Sequence, residues 1–148
     1  MTRCVGWTLV LLATASCDGN SVTKPVTLSG THPLIMIDST PLPVWERTAA
    51  SGDELYTIGG ELRALSRGRM AVVRVTQWHS PVHGHLPPDP DTVIVTYRYD
   101  GTRLLLSYPN TVPGGPYTDT GTVDDETITM QTRFFLPSRV RSYRYNVP

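Results

Sequence analysis

Apolar and polar residues alternate along the second half of this chain with the two-residue period of half-buried strands. The clearest stretch is DTVIVTYRYDGTRLLLSYP, beginning at Asp91. Its centre, Asp100-Gly101, is a strong hairpin signal, because a two-residue type I′ turn needs positive φ at both central positions. That turn predicts Tyr99 against Thr102, Arg98 against Arg103, Tyr97 against Leu104 and Val95 against Leu106. Val93, Val95, Tyr97, Leu104 and Leu106 then form the core face, with Thr96, Arg98, Arg103 and Ser107 outside. A second hairpin, YTDTGTVDDETITMQT, turns at Asp124-Asp125. Gly121, Val123, Ile128 and Met130 share one face, and Thr120, Thr122, Thr127 and Thr129 form a ladder on the other. Gly121 is expected opposite Ile128, where a missing side chain permits close packing.

Upstream, ELYTIGGELRALS reads as a strand bent at Gly59-Gly60. SRGR turns it into MAVVRVTQW, where Ala71, Val73 and Val75 share a face with Gln77. RVRSYRYN supplies a last strand. No 12-residue window after position 20 sustains a helical apolar period. Eight strands are expected, near 34–38, 54–66, 70–78, 92–99, 102–108, 117–123, 126–132 and 139–145. Short strands joined by turns indicate a sandwich or barrel. Eight in hairpin succession favour an all-β, antiparallel up-and-down barrel, since closure removes exposed edges.

The N-terminus reads differently. Arg3 precedes an apolar run from Val5 to Ala15 that is 11 residues long. A spanning helix needs about 20, and the run ends in small residues, as an export signal does. Ala13-Thr14-Ala15-Ser16-Cys17 resembles the lipobox of bacterial lipoproteins. That resemblance implies a diacylglyceryl group on the Cys17 sulfur, cleavage before it, and a membrane-anchored domain outside the cytoplasm, in the cell envelope. The alternative is an ordinary secretory signal cut near Ala15, leaving Cys17 a free thiol. A Cys4–Cys17 disulfide does not fit, because Cys4 leaves with the signal. Residues 18–33 are polar and rich in Ser, Thr, Gly and Pro; a flexible tether of that length averages roughly 20–24 Å end to end. The expected organisation is a signal peptide over 1–16, a lipidated N-terminus and linker over 17–33, and a barrel over 34–148.

Charge narrows the function classes. Lys+Arg and Asp+Glu number 13 each, which argues against a nucleic-acid footprint. No nucleophile elbow, zincin motif or P-loop is present, and no cofactor is implied. The loop WHSPVHGHLPPDPD carries His79, His83 and His85, with Asp89 and Asp91 following. These side chains are metal ligands if the loop brings them together, and otherwise a solvated, proline-stiffened connection. Tyr97, Tyr99, Tyr108 and Tyr117 either line a barrel mouth and stack on a ligand or are half-buried strand residues with wet hydroxyls. Arg133, Arg139, Arg141 and Arg144 make a local positive patch, or simply solvated strand faces. Asp124-Asp125-Glu126 is explained by a hairpin turn.

MIDSTPLP, GGELRALSRGRM, YRYDGTRLLL, TGTVDDETITM and the closing YRY together resemble the small lipocalin-like domains of bacterial lipoproteins, across most of residues 34–145. The resemblance implies a small lipocalin-like barrel. Three functions follow. The first is a non-catalytic binding or interaction module that presents loops 79–91 and 109–117 to a small apolar ligand or an envelope protein. The second is a structural or accessory envelope protein with a filled barrel. The third is a metal-dependent enzyme using the histidine loop.

Overall fold

The structure, a computed structural model, describes residues 28–112, 116–133 and 139–148. The expected signal peptide, Cys17 and the tether as far as residue 27 lie outside the described residues. Alternation divides the side chains of each strand between an enclosed interior and a wet exterior. In Arg103–Ser107, Leu104 and Leu106 are buried while Arg103, Leu105 and Ser107 are exposed. In Thr127–Thr132, Ile128, Met130 and Thr132 are buried. Fully burying an aliphatic side chain of this size contributes about 1.5–3 kcal/mol.

The described residues form eleven strands: β1 (Thr31–Ile37), β2 (Thr40–Pro41), β3 (Val44–Thr48), β4 (Glu54–Leu65), β5 (Arg69–Ser80), β6 (Gly84–His85), β7 (Asp89–Tyr99), β8 (Arg103–Ser107), β9 (Thr118–Val123), β10 (Thr127–Thr132) and β11 (Arg141–Asn146). Eight of them, β1, β4, β5, β7, β8, β9, β10 and β11, follow one another as antiparallel neighbours, and β1 pairs with both β11 and β4. The sheet therefore closes as an up-and-down barrel, the architecture that the hairpin succession predicts. All eight expected strands are present. The first begins at Thr31 instead of Leu34, so the end of the polar stretch is already barrel wall.

The short strands β2, β3 and β6 were not anticipated. β3 pairs with the first part of β4, beyond the point where β1 leaves it, and β6 pairs with the end of β5. β4 and β5 thus project past the barrel as a lip at one end.

Both hairpin registers differ from expectation, by the same amount. Tyr99 faces Leu104 and Tyr97 faces Leu106; Val123 faces Ile128 and Gly121 faces Met130. Each turn is a four-residue loop, Asp100–Arg103 or Asp124–Thr127, because its first aspartate organises it. Asp100 Oδ1 accepts the amides of Thr102 at 3.0 Å and Arg103 at 2.7 Å. Asp124 Oδ1 accepts those of Glu126 at 3.0 Å and Thr127 at 2.6 Å. Gly101, at φ 101°, takes the left-handed position of the first loop. Arg98 consequently faces Leu105 and avoids the predicted opposition to Arg103. A side-chain carbon at Gly121 would collide with Met130 Sδ and the Thr129 carbonyl, so the close approach read at Gly121 is real and its partner is Met130. The β4–β5 ladder shifts register between Thr57 and Gly59, a bulge just before the bend expected at Gly59-Gly60. On β5 the core residues are Met70 and Val72; Ala71 and Val73 lie on the opposite face.

Leu34, Ile37, Leu62, Met70, Val72, Val95, Leu104, Leu106, Ile128, Met130, Tyr143 and Tyr145 fill the interior. An eight-stranded barrel is just wide enough for such packing.

Candidate functional site

Strand alternation sorts the connections between two ends. The turns at 66–68, 100–102 and 124–126 lie at one end, together with the chain at Leu28 and at Val147. The described residues of the other connections, 38–53, 81–88, 108–112, 116–117, 133 and 139–140, lie at the other. Residues 81–88 and the described parts of 109–117, from the two loops singled out from sequence, share the loop end.

Just inside the loop end runs a belt of buried polar groups. Arg141 projects inward from β11. Its Nε donates to Asp38 Oδ2 at 2.7 Å, and a terminal guanidinium nitrogen donates to Glu46 Oε2. The side chains of Arg141 and Glu46 are only 8% and 1% exposed. Thr57 Oγ1 donates to Glu46 Oε1 at 2.7 Å, and the Ser142 amide to Asp38 Oδ1 at 2.8 Å. Asp38 and Ser39 take left-handed backbone conformations, at φ 48° and 67°, which aspartate tolerates better than most residues. Burial opposes ionisation of Asp38, but the Ser142 amide and the Arg141 guanidinium outweigh it and hold the carboxyl below the usual range. The Arg139 guanidinium lies farther out, 3.8 Å from Asp38 and 70% exposed. A buried ion pair of this kind fixes geometry more than it adds net stability.

Thr132, the ladder partner of Arg141, continues the belt to Asp119. Its hydroxyl donates to Asp119 Oδ2, and the Tyr108 hydroxyl also bonds that carboxylate. Burial pushes the Asp119 carboxyl up, against the opposing effect of these hydroxyls and the Arg133 amide. Tyr108 stacks on Tyr117 at 4.4 Å between ring centroids. The Tyr117 hydroxyl is buried with no hydrogen-bond partner among the described residues. Tyr143, beneath the belt, is pushed up to about 12, chiefly by burial. On the lip, the Arg47 guanidinium lies 5.6 Å from the centroid of the Trp78 ring, and Trp45 is 53% exposed.

The residues proposed from sequence fall into separate places. Of the four tyrosines, Tyr108 and Tyr117 are at the loop end. Tyr97 and Tyr99 are at the turn end, bonding the carbonyls of Leu28 at 3.2 Å and Gly101 at 2.9 Å. They do not line one mouth. His79 and His85 pair across β5 and β6 with stacked rings 4.6 Å apart, and His79 Nδ1 is 4.0 Å from Glu54 Oε2. His83 sits on the intervening turn, its amide bonded to Ser80 Oγ at 3.4 Å. Among the described residues, no three His, Cys, Asp or Glu side chains are grouped to hold a metal ion. The arginine patch also divides, with Arg141 buried and Arg139 and Arg144 exposed. Asp38, Glu46, Asp119 and Thr132 were missed. Arg141 and Asp119 did carry a signal, since Arg141 shares the parity of Tyr143 and Tyr145, and Asp119 that of Gly121 and Val123.

Compared with known proteins, the chain matches no family model, no curated protein and no solved structure.

Proposed function

We propose that this chain is a cell-envelope lipoprotein, held to a membrane by a lipidated Cys17, with a lipocalin-like barrel acting as a non-catalytic interaction module. The observation that carries this reading is the polarity of the barrel. The N-terminal segment joins at Leu28 on the turn end, while the long connections and the buried polar belt lie at the opposite end. A tether at one end leaves the other facing away from the membrane. The filled interior favours a partner met at the loop surface over an apolar guest enclosed in the barrel.

Cys17→Ser should move the protein from the membrane fraction to the soluble one, since acyl chains supply about 0.8 kcal/mol per buried CH₂. A variant that still sediments with membranes refutes the anchor. Native mass spectrometry of the detergent-released protein should show the chain free of an enclosed apolar molecule; a stoichiometric co-purified guest would refute the surface reading.

A further inference from the structure

The lip at the loop end carries a pair of side chains outside the polar belt. His79 and His85 are direct cross-strand partners on β5 and β6, so they leave the same face of the sheet. Their rings stack with centroids 4.6 Å apart and planes inclined by 27°. On its other side His79 pairs with Glu54 of β4. Glu54 Oε2 lies 4.0 Å from His79 Nδ1 and accepts the Tyr56 hydroxyl at 2.8 Å. Tyr56 thus holds the carboxylate beside the imidazole. A carboxylate there favours the proton on Nδ1 and leaves the Nε2 lone pair of His79 for another partner. The His79 side chain is 42% exposed and His85 is exposed, so an ion can reach both from solvent.

Imidazole nitrogen suits zinc, copper and nickel, whereas magnesium and calcium take oxygen ligands. Two nitrogens on one zinc ion, each at about 2.0–2.1 Å, lie no more than about 4.2 Å apart. Rings already stacked need only turn about χ2, a soft torsion in histidine, to meet that bound. Glu54 adds a negative charge beside the pair. Arg47 lies over Trp78, which alternation places on the opposite face from His79. No third His, Cys, Asp or Glu side chain joins the two as a ligand among the described residues. An ion there keeps water in its remaining positions. His83 stands on the intervening turn, its amide on Ser80 Oγ at 3.4 Å, and is not part of the pair.

We propose that His79 and His85 chelate one divalent ion of the zinc, copper and nickel class, with Glu54 as a positioning residue, and that the ion clamps β6 to β5. The test is a titration of the full chain, labelled at histidine nitrogen, in non-ionic detergent with zinc chloride. The side-chain nitrogens of His79 and His85 should shift together and saturate, while those of His32 and His83 stay in place. Reading the imidazoles keeps this result separate from zinc held by a cysteine and from the fate of the membrane anchor. Zinc should also slow hydrogen exchange at the Leu86 amide, which bonds the Trp78 carbonyl at 2.8 Å beside the pair. His85→Ala should abolish the saturable shift of His79, and His83→Ala should leave it unchanged. Glu54→Gln should weaken binding by about tenfold. Before zinc is added, it should also move the His79 nitrogens toward the other tautomer, a change that a merely structural role does not produce. No saturation up to about 1 mM, a shift confined to one of the two imidazoles, an equal shift with magnesium chloride, or an unchanged His79 response in His85→Ala overturns the proposal. Unchanged affinity and tautomer in Glu54→Gln overturn the positioning role.

Discussion

The turn end and the loop end of the barrel are closed by contacts of opposite range. At the turn end, Asp100 and Asp124 cap amides two and three residues ahead. At the loop end, Arg141 bonds Asp38 and Glu46, 103 and 95 residues away in the chain. Short-range capping forms as soon as its own loop does. The long-range lattice exists only when the last strand has docked, because β11 delivers the arginine to carboxylates from the chain's beginning. The first kind of contact sets where strands turn, and the second sets that the barrel is complete.

The sharpest way to break this contrast is at the buried cation. Arg141→Leu leaves Glu46 charged and enclosed without its partner, and should lower stability by about 3–5 kcal/mol in urea unfolding. Removing both charges, Arg141→Leu with Glu46→Leu, should recover much of that loss. A single variant that loses less than about 1 kcal/mol would mean that the lattice does not hold the loop end.

The turn end should yield less. Asp100→Ala and Asp124→Ala should each lower the thermal midpoint by only a few degrees, and the double variant should depart from the sum, because the Val123 amide, beside Asp124, donates to the Thr102 carbonyl of the Asp100 loop at 2.8 Å. Strict additivity of the two effects would show that this bond does not couple the turns.

The smallest effects distinguish two carboxylates within the loop end by pH. The Asp119 carboxyl is raised on folding, so the folded state holds its proton more tightly. Its contribution is greatest below the unfolded value of about 3.9 and is lost as pH rises through the folded one. Asp119→Asn should therefore be more stable than the native protein at neutral pH, with the gap closing in acid. The Asp38 carboxyl is lowered, so its stabilisation is present above the unfolded value and lost as pH falls through the folded one. Asp38→Asn should be the less stable variant at neutral pH, again with the gap closing in acid. Urea midpoints taken between about pH 7 and about pH 2 check both signs, the Asp119 gap closing above about pH 4 and the Asp38 gap below it.

The sequence made the turn end legible and the loop end largely opaque, for the same reason of range. Alternation located all eight barrel strands. The turn type was misread in both hairpins, yet every side chain kept its predicted face. The error was two residues each time, and a strand has a period of two. An error of one would have turned the core outward. Parity alone could have placed Arg141 and Asp119 inside, but the general rule that charges stay in water argued against it. Nothing local marks Asp38 and Glu46 as the partners of Arg141, because that pairing exists only once the sheet has closed. The histidines looked like a cluster because they are close in sequence. The β5–β6 turn stacks two of them and carries the third elsewhere.

β1 divides its pairing. Thr31, His32 and Pro33 meet β4, and Leu34 to Ile37 meet β11. A pull on the chain at Leu28 acts along this strand, out through the turn end. Its ladder bonds to both neighbours then bear load side by side, in shear, and cannot be peeled away one after another. The strand that closes the barrel is thus also the one best placed to withstand tension arriving from the N-terminal side.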